Sequence, residues 1–408
     1  MILSKLENEQ IVDNCYGCYA CANACPLKCI DLIEDIEGFR YPQVDENICN
    51  SCELCIRVCP IGKSAKDLHP KVLEKPEAYA CYILDDVARK RSVSGGIAFA
   101  ISQHVINQGG VVFGCVGSTL EHVHHTSAET IEELIPMCNS KYVQSDIGKT
   151  YIEAEKLLKL GRFVLFTGTP CQIAGLYSFL GKSYDNLTTC DLICHGVPSQ
   201  KVLKAYIGEV EKKTGKKATD WKRTKINYFW DVQYIIPFND GSYELVQKKS
   251  SLYRQGYSGV SPNLFVRKSC PLCEFSRIPR VSDFMLGDLF FGEYRDVLTR
   301  LDPNNNMGVS LITVNTEMGK RIFQEMSDSI YMEKLSFDDN NKMKCIHIPY
   351  KLNENRGKFF DLFHRDGFEK AAKKCIDPVR RKKRIKTQII KLTPSFLVKM
   401  YKRFLGKK

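Results

Sequence analysis

The sequence predicts a multidomain chain of mixed α+β and α/β class, and three observations predict it. Cysteines recur in a doubled pattern near the N-terminus; strand and helix patterns alternate from about Tyr79; and after about Lys216 short strand-like runs are separated by Asp and Gly turns. A chain of 408 residues has room for about two or three domains and a sizeable core. Its 44% hydrophobic and 26% charged residues are those of an ordinary globular protein. The expected division is 1–65, 78–216, 217–375 and a basic tail at 376–408. The run DLHPKVLEKPEA, with Pro70 and Pro76, reads as a linker.

The first unit carries the strongest signal. Cys15, Cys18, Cys21 and Cys25 precede Pro26; Cys49, Cys52, Cys55 and Cys59 precede Pro60. Both runs are C-x2-C-x2-C-x3-C-P, the spacing of bacterial ferredoxins that hold two 4Fe–4S clusters. Three closely spaced thiolates wrap one face of a cluster, and the fourth reaches across to the other. The expected ligand sets are therefore Cys15, Cys18, Cys21 and Cys59 for one cluster, and Cys49, Cys52, Cys55 and Cys25 for the other. Zinc is the competing reading, but it needs only four ligands per ion and has no use for a doubled run ending in C-P. Between the motifs, IDLIEDIEGFRYPQVDENIC reads as a short hairpin.

The middle of the chain alternates. AYACYIL is a strand, SGGIAFAISQHVINQ a helix and GVVFGCVG a strand. Helices are expected over 129–137 and over IGKTYIEAEKLLKLG. RFVLFTG is a buried strand followed by a helix from Pro170; LTTCDLIC is a strand followed by a helix from Ser199. Farther on, KINYFW, VQYIIPF and SYELVQKK read as antiparallel strands. DFMLGDLF and GVSLITVNT are strands on either side of LDPNNN.

Charge is unevenly placed. The net formal charge is +12, and Pro378 to Lys408 holds twelve Lys and Arg with no acid, which leaves 47 basic against 47 acidic residues elsewhere. A neutral body argues against nucleic acid, and the tail reads as an appended contact segment. RRKKRIK is followed by PSFLVKMYKRFLGKK, whose apolar residues recur at helical spacing: a basic amphipathic helix for a partner or peripheral membrane contact, or else a solvated terminus. MILSKLENEQIVDN lacks the features of a signal peptide, and no run approaches about 18 apolar residues. With 19 cysteines and no such leader, a reducing cytoplasm is the expected setting.

A second cysteine set is dispersed: Cys171 in GTPCQIAGL, Cys194 in DLICHGVPS, and Cys270 with Cys273 in CPLC. Strand C-termini and helix N-termini share one edge of a parallel sheet, so Cys171 and Cys194 should be neighbours and the C-x2-C pair could close a four-thiolate site. A third 4Fe–4S cluster is expected there; structural zinc or unliganded thiols are the alternatives, and Cys190 could replace Cys194. SVSGG, SKYVQS and GTPCQ look suited to a phosphate-bearing cofactor at turns into helices. No G-x-G-x-x-G occurs. His195 lies at the expected active edge and could donate a proton or hydrogen bond. Asp283 and Asp288 read equally as orienting groups or turn acids. His122, His124 and His125 read as a loop without a further ligand. Cys29, Cys81, Cys115, Cys138, Cys345 and Cys375 read as core or incidental thiols.

Together, the ferredoxin unit, RSVSGG, NSKYVQS, GTPCQIAGL, CHGVPS, the C-x2-C pair and SDFMLGD resemble, in the same order, the coenzyme F-420 hydrogenase/dehydrogenase beta-subunit family, over roughly residues 10–370. The resemblance implies a bacterial ferredoxin-like domain, an α/β flavin-binding core and a mixed α/β C-terminal part. It implies FAD lined by Ser94, Gly95, Gly96, Ser140, Lys141, Tyr142, Gln144, Ser145, Thr169 and Gln172, beside a cluster held by Cys171, Cys194, Cys270 and Cys273. The implied activity is an oxidoreductase passing electrons from ferredoxin-type clusters to FAD, with hydride exchange to the deazaflavin coenzyme or another organic substrate. His195 and Lys141 are the expected groups near the flavin, and a redox partner protein or ferredoxin is expected. The rivals are an electron-transfer subunit with no substrate of its own, and a membrane-docked scaffold with structural metals only. The basic tail is not part of the shared pattern.

Overall fold

A computed structural model of the chain describes residues 14–224, 233–247, 250–289, 294–304, 307–336 and 351–392. The chain forms two compact units, one of Met1–Val246 with Val266–Lys351, the other of Gln247–Phe265 with Leu352–Lys408. The expected strand KINYFW, Cys345 and the tail beyond Leu392 lie outside the described residues. Among the described residues no helix is long and apolar enough to cross a membrane.

The larger unit opens with α1 (Ala20–Ala24), a hairpin of β1 (Ile30–Glu34) and β2 (Arg40–Val44), and α2 (Leu54–Arg57). The hairpin is antiparallel, Ile30 opposite Val44, and Asp35 Oδ1 closes its turn by accepting from the N–H groups of Glu37 and Phe39 at 3.0 and 2.8 Å. The doubled cysteine motif is also a doubled backbone. Gly17 and Ser51, Tyr19 and Glu53, and Lys28 and Gly62 hold positive φ at matching places in the two runs. Left-handed residues curl the chain back, so that cysteines three apart face one point instead of fanning along a helix or strand.

After α3 (Ala65–Leu68), capped by Ser64, comes β3 (Glu77–Ile83). The expected linker between them is partly packed: His69 and Val72 are buried, and the Leu73 N–H donates to the Asn315 carbonyl at 2.7 Å. There follow α4 (Asp86–Arg91), α5 (Ile97–Asn107), β4 (Val111–Val116), β5 (His124–Ala128), α6 (Ile131–Leu134) and α7 (Thr150–Lys159). Next are β6 (Val164–Gly168), α8 (Pro170–Leu180), β7 (Leu187–Leu192) and α9 (Gln200–Thr214). A small antiparallel sheet joins β8 (Lys222–Thr224), β9 (Gln233–Pro237) and β10 (Tyr243–Val246).

The main sheet runs β13-β3-β12-β11-β7-β6-β4-β5. Its late members are β11 (Phe284–Asp288), β12 (Ser310–Val314) and β13 (Ile330–Leu335), interspersed with helices at Arg295–Leu301 and Glu317–Glu325. Here the expected boundary at 216/217 is corrected. β11 pairs in parallel with β7, and β12 and β13 pair antiparallel with β3, so both expected domains build one sheet. Strands more than 90 residues apart complete each other, which local periodicity cannot reveal.

Alternation sends successive side chains to opposite faces. Val111, Phe113, Val164 and Phe166 pack with α7 and α8 on one face; Val112, Leu165, Phe284 and Ile312 pack with α5 on the other. Tyr16 and Tyr19 of the cysteine-rich unit join the first of these cores.

In the smaller unit, a helix at Leu252–Tyr257 accompanies helices at Arg356–Asp366 and Phe368–Leu392. Tyr253, Phe265, Phe359 and Phe368 stack within it, and Asn353 Nδ2 donates to Ser261 Oγ and the Pro262 carbonyl at 2.9 and 2.7 Å. The last helix runs through Pro378 and the RRKKRIK segment.

Candidate iron–sulfur and redox site

The left-handed turns of the N-terminal unit set its thiols around two cavities. Cys15, Cys18, Cys21 and Cys59 border the first. Cys25, Cys49, Cys52 and Cys55 border the second, with Cys55 touching both. Apart from Cys55, which stands in both walls, each cavity takes one cysteine from the opposite run, Cys59 in the first and Cys25 in the second. Cys29, read from sequence as incidental, is also in the second wall, 3.4 Å from Cys25 Sγ. Burial raises the Cys18 thiol well above the usual range, and the charges of Cys59, Cys21 and Cys15 raise it further. Four thiolates this close need cations between them. Among the described residues no three His, Cys, Asp or Glu side chains are disposed around a single ion. The donor set, with thiols ringing a cavity, suits a multinuclear iron–sulfur core.

The dispersed cysteines also lie near enough to feel one another's charge. Cys171 sits in the first turn of α8, Cys194 follows the end of β7, and Cys270 and Cys273 flank a short 3-10 turn at Cys270–Leu272. Burial lifts Cys171 to about 11, with Cys270 adding to the rise. Cys194 is pushed up to about 12 by burial and then by Cys270 and Cys171. Cys273 is raised by burial, then by Cys171, Cys270 and Cys194. Cys171, Cys194 and Cys273 therefore each feel the charge of others in the set. Cys190, the alternative to Cys194, is 3% exposed and packs in the core with Phe284 and Ile312.

The two thiol sets adjoin through α8. A Cβ added at Gly175 would lie 3.0 Å from both Cys18 Cβ and Cys18 Sγ, and 3.1 Å from Tyr151 Oη. A Cβ here would be crowded, and its neighbours would have to give by a few tenths of an ångström. One helical turn before Gly175, about 6 Å along the axis, is Cys171. Tyr16 lies between: burial raises its phenol, followed by Cys273, Cys171, Glu274 and Cys59.

The expected flavin residues lie along one edge of the sheet, but several are already engaged. Gln172 Nε2 donates to Ser145 Oγ at 3.0 Å, and Gln172 Oε1 accepts from the Thr169 N–H at 2.9 Å, which joins SKYVQS to GTPCQ. Gln144 Nε2 donates to the carbonyls of Tyr16 and Gly17 at 2.8 and 3.1 Å. Lys141 Nζ donates to the carbonyls of Pro136, Cys138 and Asn139 at 2.8, 3.0 and 3.2 Å. Burial holds its ammonium below the usual range, opposed by Cys115 and Cys138. Tyr142 meets Tyr234 edge-on, ring centroids 4.9 Å apart. Ser94 Oγ donates to the Val309 carbonyl at 3.0 Å, and the Gly95 N–H to Ser310 Oγ at 3.0 Å. SVSGG was expected at a strand-to-helix turn; α4 intervenes after β3, so the turn joins two helices. Gly96 still opens α5, whose start carries no side-chain cap. Ser140 is exposed.

His195 reaches solvent, although the packing around its ring, and then the Arg280 guanidinium, hold it below the usual imidazole range. Arg280 donates to Asp191 Oδ1 at 2.7 Å, both side chains being almost wholly buried. Asp283 accepts from the Thr189 N–H and hydroxyl at 2.8 and 2.9 Å and from Thr316 Oγ1 at 2.6 Å, a tie inside the fold. Asp288 pairs with Arg223. His124 and His125 belong to edge strand β5, not to a loop. His122 stacks on His124 at 4.8 Å and lies 3.5 Å from Asp146, which also pairs with Arg40 at 2.7 Å. Sequence reading missed Tyr16, Gly175, Arg267, Asp191 and Arg280. An isolated glycine within an apolar helix and arginines beside the CPLC pair were the available signals.

Residues 161–340 match the family described as the C terminus of the coenzyme F420 hydrogenase/dehydrogenase beta subunit, and residues 14–63 match the 4Fe-4S dicluster domain. A protein of Porphyra purpurea described as an uncharacterized protein in the rpl9-rpl11 intergenic region is 30% identical over 67 residues, covering 16% of this chain and 89% of that protein. The solved F420-reducing [NiFe] hydrogenase complex of Methanosarcina barkeri contains a chain 16% identical, with a TM-score of 0.43, over 77% of this chain and 92% of that one. One polypeptide thus carries both a 4Fe–4S dicluster ferredoxin domain at 14–63 and, at 161–340, the C-terminal region of the coenzyme F420 hydrogenase/dehydrogenase beta-subunit family.

Proposed function

We propose that this protein is an iron–sulfur flavoprotein oxidoreductase whose electrons pass from the two N-terminal clusters, through a third at Cys171, Cys194, Cys270 and Cys273, to FAD. The single observation that carries the reading is the contact of Cys18 with Gly175, which sets the first cavity about one helical turn from Cys171. FAD, when bound, supplies the conversion of one-electron into two-electron chemistry and hydride exchange with an organic substrate.

The residues divide the work. The uncapped start of α5 behind Ser94, Gly95 and Gly96 offers backbone N–H groups and a positive dipole end to a pyrophosphate. Ser140, Tyr142, Ser145, Thr169 and Gln172 form the wall at the head of α8, fixed by the Gln172–Ser145 bond. Lys141 shapes that wall by gathering three carbonyls. His195, held toward its neutral form, would donate a hydrogen bond from its ring N–H at the edge. The substrate class is the deazaflavin coenzyme or another hydride acceptor, and a redox partner protein would deliver electrons at the exposed Cys52 end.

The second reading, an electron-transfer subunit without its own substrate, is favoured by the prior engagement of Lys141 and Gln144 within the fold. Anaerobic purification with iron, sulfide and flavin quantification separates the two. Bound flavin in the wild type that is lost on Gly96→Val, with iron retained, supports the flavoprotein. Iron and sulfide without flavin, after reconstitution with excess FAD, refutes it.

A further inference from the structure

Arg267 is one of the two largest fully buried charged side chains among the described residues, at 1% exposure, the other being Arg280. Its NH1 donates to the Cys15 carbonyl at 3.3 Å; its NH2 donates to the Arg40 carbonyl at 3.1 Å and to Gln144 Oε1 at 2.9 Å. All three acceptors are uncharged. Its Nε is buried and meets no acceptor among the described residues. The guanidinium lies over the rings of Tyr41 and Phe39, 4.7 and 5.2 Å from their centroids. Ring faces and neutral oxygens solvate a cation only in part, and a buried charge without a counterion costs several kcal/mol.

The surrounding chain says where the counterion belongs. The Arg267 N–H donates to the Val197 carbonyl at 3.0 Å, and Ser269 Oγ donates to the Cys15 carbonyl at 2.8 Å. One short segment thus clasps the first cavity through Arg267 and Ser269 and delivers Cys270 to the second thiol set.

We infer that Arg267 is the fixed counter-charge of the cluster in the Cys15 cavity, holding that cluster's reduction potential up and coupling it to the neighbouring thiol set. The inference rests on the iron–sulfur reading of that cavity. Adding one electron makes a thiolate-bound cluster more negative, so a buried cation beside it stabilises the reduced form more than the oxidised one. The Arg side chain is a positioning and tuning group and takes no part in bond making.

The test is an EPR-monitored dithionite titration of anaerobically reconstituted full-length wild type, Arg267→Gln and Arg267→Lys, with iron and sulfide counted in each. With loading intact, Arg267→Gln should lower one cluster midpoint by about 59 mV, a roughly tenfold smaller reduced fraction at fixed potential, while Arg267→Lys keeps most of the wild-type value. If Arg267→Gln fails to load but Arg267→Lys loads with a wild-type midpoint, charge is again the requirement and the inference stands. Loss of loading in both variants makes shape the requirement and overturns it. A loaded Arg267→Gln protein with unchanged midpoints overturns it alone; a wild-type chain that takes up neither iron nor sulfide defeats the underlying reading as well.

Discussion

Gly175→Ala tests the junction between the cysteine-rich unit and the α/β body. The added methyl would stand 3.0 Å from the Cys18 side chain and 3.1 Å from the Tyr151 hydroxyl. Ordinary carbon contacts begin near about 3.5 Å, so something must move by about half an ångström. Tyr151 is pinned, because its one hydroxyl proton is shared between the carbonyls of Cys18 and Gln172, at 2.9 and 2.6 Å. Overpacking of this kind costs about 1–3 kcal/mol, against about 1 kcal/mol of helix propensity gained. The net expectation is a loss of about 1 kcal/mol, together with reduced iron retention in the first cavity. Gly208→Ala in α9 is the matched control, since a Cβ there meets nothing within 4 Å and should only stabilise. Thermal unfolding and iron counting of both variants, purified without oxygen, give the answer. Equal stabilisation of the two with full iron in each would refute the close packing of Cys18 on α8.

Three other perturbations have defined outcomes. Arg280→Met strips the 2.7 Å partner from the buried Asp191 and should cost about 3–5 kcal/mol in urea unfolding, much of it recovered by adding Asp191→Asn. Cys59→Ser should abolish the EPR signal of the cavity bordered by Cys15, Cys18 and Cys21, leaving the other intact, although Cys59 belongs to the second run; loss of the second signal alone would contradict the crossed arrangement. His125 is held near 4 by burial, its Nε2 facing the Thr167 carbonyl at 2.8 Å, against an ordinary 6.5. The unfolded chain therefore binds the extra proton first as pH falls, so stability is full above about 6.5 and declines toward 4, by up to about 3 kcal/mol. His125→Asn should flatten that part of the stability profile, and an unchanged slope would remove His125 as its source.

How far the sequence reveals the molecule depends on the range of the interaction. The two cysteine runs are legible because ligand geometry forces their spacing, and the hairpin between them because IDLIE and RYPQV flank the short turn DIEGF. The strands RFVLFTG and LTTCDLIC were legible as buried parallel strands for the same local reason. The joining of β11 and β12 to β7 and β3 was not, because pairing partners lie far apart in the chain. For the dispersed cysteines the only sequence guide to a shared site is the rule that strand ends share an edge. Arg267 and Gly175 were hidden, since a buried cation and a close helix approach leave no periodic trace. Lys141 and Gln144 show the converse: residues that suggest a ligand in sequence already bind the protein's own carbonyls.

The most direct measurement is the iron and acid-labile sulfide content per chain of protein reconstituted without oxygen, beside the Cys171→Ser variant. We expect about twelve irons and as many sulfides in the wild type, four per cluster, and about eight in the variant. Equal counts of about eight in both would contradict a third cluster at the junction. Zinc without sulfide would contradict the electron route altogether.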